Sequence, residues 1–198
     1  MKKVLFLLGV IFATSSIASS DYYIGLGIGE GNFELIATDN RGGNLSEEND
    51  VALSLNAGFI TSNTHKFDVA ITTFDTQDNK YMEELSIGYD YLFTNNNFQP
   101  YLGAKVILNQ YEEDAYFDYL GNEWKGMDLT TIFFNIDIGF KYNLSKTFFI
   151  TCDYETNITS SSSGGDTIYI DNVHSVTNNV HLEMDTVDKI MARLNYRF

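Results

Sequence analysis

The sequence predicts an all-β fold: an eight-stranded antiparallel up-and-down transmembrane β-barrel. Three observations predict it. Eight segments place apolar residues at every second position, their connections alternate between short and long, and a row of charges occupies the face opposite the apolar one. No segment of comparable length has helical periodicity.

The first segment, YYIGLGIG, sets Tyr22, Ile24, Leu26 and Ile28 against Gly25, Gly27 and Gly29. VALSLNAGF sorts Val51, Leu53, Leu55, Ala57 and Phe59 from Ala52, Ser54, Asn56 and Gly58, and FDVAITTF sorts Phe67, Val69 and Ile71 from Asp68, Ala70 and Thr72. In ELSIGYDYLF the apolar row is Leu85, Ile87, Tyr89, Tyr91 and Phe93, facing away from Glu84, Ser86, Gly88 and Asp90. A fifth segment, from Tyr101, places Leu102, Ala104, Val106 and Leu108 opposite Gly103, Lys105 and Asn109. The sixth, TIFFNIDIGFKYNL, runs Ile132 to Leu144 on even positions and carries Asn135, Asp137, Gly139, Lys141 and Asn143 on odd ones. The seventh opposes Phe148, Ile150, Cys152 and Tyr154 to Thr151, Asp153 and Glu155, and the closing segment opposes Ile190, Ala192, Leu194 and Tyr196 to Lys189, Arg193, Asn195 and Arg197.

Tight hairpins are expected at TSNTHK, TNNNFQ and around Ser145 and Lys146. The intervening links, TDNRGGNLSEEN, TQDNKYM, YEEDAYFDYLGNEWKGMD and the stretch 156–183, are mostly longer and polar. Short turns on one rim and long connections on the other put both ends of the chain on the short-turn side.

Which face meets lipid decides the function class. A soluble lipocalin-like carrier would hold the apolar row inside around a ligand. A membrane barrel reverses this and must neutralise its charges within. The polar row holds six acids (Asp68, Glu84, Asp90, Asp137, Asp153, Glu155) and five bases (Lys105, Lys141, Lys189, Arg193, Arg197), although the whole chain is at −15. Near-neutrality of this row in an acidic chain points to an enclosed network, because an unpaired buried charge costs several kcal/mol. Large aromatics on the apolar row, among them Phe59, Phe67, Tyr91, Phe93, Phe140, Tyr142, Phe148, Tyr196 and Phe198, gather toward the short-turn rim as an interfacial girdle would. The glycines of the first segment are expected to leave room for Arg193 and Arg197 across the seam.

Residues 1–20 read as a cleaved signal peptide: Lys2 and Lys3, the apolar run VLFLLGVIF, then ATSSIASS. The apolar run is far shorter than the roughly 20 residues of a spanning helix. Removing residues 1–20 from 198 leaves a 178-residue barrel domain, 21–198, and takes the charge from −15 to −17, which argues against nucleic acid as a partner. Cys152 is the only cysteine, so no intramolecular disulfide forms and no lipid attaches at a new N-terminal cysteine.

The signal peptide, the eight alternating segments, the alternating connections and the terminal NYRF together resemble the small eight-stranded outer-membrane proteins of Gram-negative bacteria, the family of the OmpA transmembrane domain and the opacity-type surface proteins. The resemblance implies location in the bacterial outer membrane with both termini periplasmic, contact with outer-membrane lipid and lipopolysaccharide, and an assembly signal at Ala192, Leu194, Tyr196 and Phe198 read by the barrel-assembly machinery. Cell-wall tethering through the peptidoglycan-gripping domain of OmpA itself is not among the expectations carried over.

Evidence for chemistry is weak. Some family barrels modify lipid A with a His/Ser pair, and the serines 160–163 with His174 or His181 are the residues to weigh, but nothing in the sequence fixes a nucleophile beside a base. GLGIGEG fails as a dinucleotide fingerprint because Glu30 replaces the third glycine. The third long connection gathers Glu112, Glu113, Asp114 and Asp118 with Trp124, a candidate loop-contact or Ca²⁺/Mg²⁺ site without EF-hand spacing; a merely solvated loop is the favoured alternative. No metal and no cofactor is called for. The expected function is a non-enzymatic barrel that supports envelope integrity and presents acidic, aromatic-containing loops at the surface. The alternatives are a lipid A-modifying barrel enzyme and, third, the soluble carrier.

Overall fold

The computed structural model describes residues 20–39, 42–76, 80–117, 123–159, 165–171 and 176–198. These form eleven strands: β1 (Ser20–Asp39), β2 (Gly42–Thr61), β3 (His65–Phe74), β4 (Lys80–Leu92), β5 (Phe98–Glu113), β6 (Tyr116–Phe117), β7 (Glu123–Trp124), β8 (Met127–Asn143), β9 (Phe148–Asn157), β10 (Gly165–Asp171) and β11 (Val176–Arg197). Eight of them, β1, β2, β3, β4, β5, β8, β9 and β11, pair antiparallel in that order. β11 then returns to pair with β1, so the sheet closes into an eight-stranded barrel. β10 pairs with β11, β7 with β10 and β6 with β7, making a small flap on the long-connection side.

The seam runs in register from Tyr23 opposite Arg197 to Phe33 opposite Val187, then slips by one residue at a β-bulge to Leu35 opposite Met184. Its lower end is held by the Phe198 amide donating to the Tyr22 carbonyl at 3.0 Å. Closure leaves no open edge, which a barrel in lipid requires because the hydrocarbon offers no hydrogen-bonding partner. The hairpin between β2 and β3 is a tight one: Ser62 and Asn63 both have positive φ, 55° and 56°, as a type I′ turn needs, and the Thr64 amide donates to the Thr61 carbonyl at 3.2 Å.

The apolar row faces outward. Leu26, Ile28, Leu53, Leu55, Ile87, Leu102, Val106, Leu108, Ile132, Ile136, Ile138, Ile190 and Leu194 are all exposed on the barrel's outer surface. That orientation excludes the soluble carrier, which needs the same row inside. At the short-turn rim the outward aromatics touch in series across six strands: Phe148–Tyr196, Tyr196–Phe198, Phe198–Tyr22, Tyr22–Phe59, Phe59–Phe67 and Phe67–Tyr89, with ring centroids 5.0–6.4 Å apart. Phe198 thus bridges the seam, its ring between those of Tyr196 and Tyr22.

The strands are longer than the sequence reading drew them. A membrane-crossing strand needs about 9–11 residues, whereas β1 and β2 have 20 each, β8 has 17 and β11 has 22. Most of the expected first long loop is strand, since β1 runs to Asp39 and β2 begins at Gly42. Much of 156–183 is strand as well, in β9, β10 and β11. The reason is a change of solvent along each strand. Above the outward apolar positions the outward residues turn polar, for example Thr73, Glu83, Gln110 and Thr130, which are consecutive cross-strand partners from β3 to β8. At the same level the inward residues turn apolar: Phe74, Met82, Tyr111 and Leu129 are likewise successive partners and are buried. Together with Phe33, Leu35, Ala52, Ile107, Met127, Phe133, Met184, Val187 and Met191 they form an apolar plug. Strand continues because the backbone pairing continues; only the assignment of faces is inverted.

The boundary predicts position-dependent costs. In reversible urea unfolding from bilayer vesicles, Val106→Arg, at the middle of the outward apolar row, should lose about 2–4 kcal/mol, whereas Gln110→Arg, two outward positions higher, should stay within about 1 kcal/mol of the parent.

Candidate functional site

Strand pairing aligns charged residues in a row around the inside of the barrel. Lys66 lies opposite Asp90, Asp90 opposite Gly103, Gly103 opposite Asp137, Asp137 opposite Glu155 and Glu155 opposite Lys189. Their side chains, with Asp68, Glu84, Lys105, Asp153 and Arg193, are all buried. Lys105 Nζ lies 2.6 Å from Glu155 Oε1, 3.5 Å from Asp153 Oδ2 and 3.6 Å from Asp137 Oδ2. Arg193 bridges two acids of β9, with Nη1 on Asp153 and Nη2 3.0 Å from Glu155 Oε1. Lys189 pairs with Glu84 and reaches Glu155 Oε2 at 3.4 Å. Lys66 pairs with Asp68 at 2.9 Å and with Asp90. Bidentate and branching contacts of this kind are what ions without water require.

Lys66 is missing from the sequence-derived row. The turn expected at TSNTHK includes it, but β3 starts at His65, and the parity of Asp68, Ala70 and Thr72 extends back to Lys66. Two bases of the row lie apart from the network. Lys141 donates to Gln99 and sits 5.2 Å from the Phe149 ring centre. Arg197 is half-buried at the short-turn rim, 3.4 Å from Asp21 Oδ2, donating to Asn143 Oδ1 at 3.2 Å and lying 5.3 Å from the same ring. Tyr23, Ile60, Leu92, Tyr101 and Phe149 form a second apolar cluster there. The ion network therefore lies between two apolar plugs.

Glycines in these rows act as gaps over which flanking side chains meet. Over Gly25, Asn56 Nδ2 donates to Asn195 Oδ1 at 2.9 Å. Over Gly139, the Tyr101 hydroxyl donates to Asp153 Oδ1 at 3.1 Å. A Cβ at Gly27 would collide with Ser54 Oγ and with Arg193 Cγ, and one at Gly88 with Asp68 Oδ1 and Lys105 Cγ. The expectation that the glycines of β1 make room for two arginines thus holds for Arg193 over Gly27 and fails for Arg197. Arg197 lies opposite Tyr23, and the room over Gly25 goes to the two asparagines.

The other proposed residues are dispersed. Ala192, Leu194, Tyr196 and Phe198 line the outer face of the closing strand, all exposed. Glu112 and Glu113 belong to β5 and not to a loop; Glu112 is on the outer face, directly opposite Asp128 of β8. Asp114 follows β5 and is exposed, Trp124 belongs to the two-residue β7, and Asp118 lies outside the described residues. So do the serines 160–163 and His174. His181 is 3.4 Å from Glu183. Among the described residues no group of three or more His, Cys, Asp or Glu is arranged to hold a metal ion.

Two substitutions test the network. Arg193→Leu strands Asp153 and Glu155 partly unpaired, and its unfolding free energy in detergent micelles should fall by about 3–5 kcal/mol. Gly27→Leu displaces Arg193 from the same gap and should sharply reduce refolding yield, measured as the fraction of heat-modifiable barrel on a gel.

No protein-family model matches the chain, and no curated protein matches it in sequence. Solved structures do match in shape. The outer membrane protein OprG from Pseudomonas aeruginosa is 15% identical with a TM-score of 0.65, covering 91% of this chain and 96% of that one. Neisserial surface protein A is 16% identical with a TM-score of 0.57, covering 91% and 99%. The outer membrane protease OmpT from Escherichia coli is 8% identical with a TM-score of 0.52, covering 92% and 99%. One of the three is a protease, so the shared architecture does not choose between an enzyme and a non-enzyme. What these likenesses establish, together with the outward apolar row and the closed seam, is that the chain has the fold of the small bacterial outer-membrane β-barrels.

Proposed function

We propose that this chain is an integral outer-membrane protein without catalytic activity, exported by removal of residues 1–20 and inserted with its short-turn rim and both ends toward the periplasm. It contributes to envelope integrity and presents the tall, acidic, long-connection end at the cell surface. One observation carries the reading: a closed barrel whose outer face is apolar and bordered by aromatics, while the ions inside it pair with one another. The two apolar plugs support a structural role over a general pore, since they fill the barrel above and below the ions. The exposed acids beyond the apolar positions, including Glu30, Glu83, Glu112 and Asp128, support contact with lipopolysaccharide phosphates through bridging divalent cations. In this reading Ala192, Leu194, Tyr196 and Phe198 present the outward row that the assembly machinery recognises.

Epitope tags separate the ends. A tag inserted between Asp118 and Glu123 should be stained by antibody on intact cells, and one inserted between Asn95 and Asn97 only after the outer membrane is breached. The protein should fractionate with the outer membrane, and the lipid A profile should be the same with and without it. The reverse staining pattern, a protein that is monodisperse in buffer without amphiphile, or altered lipid A acylation defeats this reading.

A further inference from the structure

Five glycines of the inner face are gaps over which flanking side chains meet, and at four of them the flanking groups are complementary. Asn56 meets Asn195 over Gly25, Tyr101 meets Asp153 over Gly139, Ser54 meets Arg193 over Gly27 and Asp68 meets Lys105 over Gly88. Each pair includes a donor or a cation. Over Gly103 the flanking residues are Asp90 on β4 and Asp137 on β8, both carboxylates. A Cβ at Gly103 would overlap Asp90 Oδ1 and Asp137 Oδ1 and would lie 2.8 Å from the Tyr89 carbonyl oxygen. Three oxygens converge there.

Among the described residues neither of these two Oδ1 atoms has a hydrogen-bond donor, and both side chains are fully buried. The nearby amines approach from elsewhere: Lys66 contacts Asp90 through Oδ2, and Lys105 lies 3.6 Å from Oδ2 of Asp137. The Oδ1 atoms are thus turned away from the lysines and toward each other. The charge balance agrees. Among the described residues the ion pairs form two groups, Lys66 with Asp68 and Asp90, and Lys105, Lys189 and Arg193 with Glu84, Asp137, Asp153 and Glu155, each one positive charge short, and Gly103 lies between an acid of one and an acid of the other. Two negative charges are left over inside a sealed section of the barrel, where uncompensated charge is costly.

We infer that Asp90 and Asp137 bind a hard, oxygen-preferring divalent cation of the Ca²⁺ or Mg²⁺ class over Gly103. Two oxygens that would overlap the same added methyl group are close enough for one ion to contact both at about 2.0–2.6 Å. A charge of two neutralises the network. The main-chain oxygen of Tyr89 supplies a third ligand of the same hard type, and water completes the shell. Glycine is required beneath the site because any side chain would fill it. The inference rests on the fold alone and is independent of where the protein resides or what its rim contacts.

Protein refolded in detergent micelles, stripped with chelator and titrated with CaCl₂ or MgCl₂ at constant ionic strength should melt roughly 5–10 °C higher at a divalent concentration 100-fold above its Kd; NaCl should give no comparable shift. Equilibrium dialysis with radioactive calcium should find one more ion per barrel than in Asp137→Asn. That variant should fold, since an amide at 137 gives Asp90 the donor that the other gaps have, and it should lose the divalent response. Should it fail to fold, Asp90→Asn reads the same property from the other side. A Glu83→Gln, Glu112→Gln, Asp128→Asn variant, altered only on the outer surface, should keep the full shift. Absence of a divalent shift in the parent, a shift surviving both Asp137→Asn and Asp90→Asn, or a shift lost in the surface variant overturns the inference. A parent indifferent to divalent ions whose melting varies only with pH identifies a proton shared by the two carboxylates, and overturns it equally.

Discussion

Inside this barrel ions have one another and little else, and that constraint organises the rest. An outward row that faces hydrocarbon leaves the inward row to carry every polar group of the same strands, because successive side chains alternate between faces. An eight-stranded barrel is narrow enough for those groups to fill it. Lys105, Lys189 and Arg193 all converge on Glu155, so strands far apart in the chain are tied through one carboxylate. Lys189 and Arg193 lie on β11, and Arg193 passes over Gly27 of β1. The network that pairs the interior charges thereby also fastens the seam at which first and last strands meet.

Much of this was legible in the sequence because period-2 alternation is a strong signal when the two faces meet solvents as different as lipid and paired ions. The eight barrel strands and their order follow from it, and so does the inward row from Asp68 to Arg193. The signal weakens where the outer solvent becomes water. In β1 the apolar residues change from even positions, Tyr22 to Ile28, to odd ones, Phe33 and Leu35. In β8 they change from Ile132 and the even positions after it to Phe133, Leu129 and Met127. A search for one continuous outward row ends at that change of parity and assigns what lies beyond to loops. The upper plug therefore has no single-row signature, although its residues are as regularly spaced as the outward apolar row. The change of parity itself marks the level at which the barrel leaves hydrocarbon.

Other features depend on neighbours that no single strand reveals. Lys66 was lost to a turn boundary of one or two residues, the least determinate part of any such reading. Which side chain occupies the room over each glycine depends on cross-strand register: Gly25 and Gly27 look alike in GLGIG, yet one serves an asparagine pair and the other an arginine. Arg197 shows the same limit. It belongs by parity to the inner row, but opposite Tyr23 and beside Phe149 at the rim it meets Asp21 and Asn143 instead of the central acids.

Closure, plugs and charge pairing are all concerned with making the barrel persist, and none presents chemistry to the outside. The upper part differs. There the barrel continues past the outward apolar positions with a water-type arrangement, apolar within and acidic without, so its fold depends less on lipid than the lower part does. Like charges such as Glu112 and Asp128 stand directly opposite each other on adjacent strands, an arrangement that costs stability in a sheet. In a membrane-embedded lower section such a cost would compound the ion burial. On the projecting section it falls on a surface already stiffened from inside by Tyr111, Leu129 and Met127. A rigid acidic wall held by an apolar core suits, in the function proposed above, multivalent contact with cation-bridged phosphates or with basic groups, a role the enclosed ion network cannot share because it is sealed from the surface.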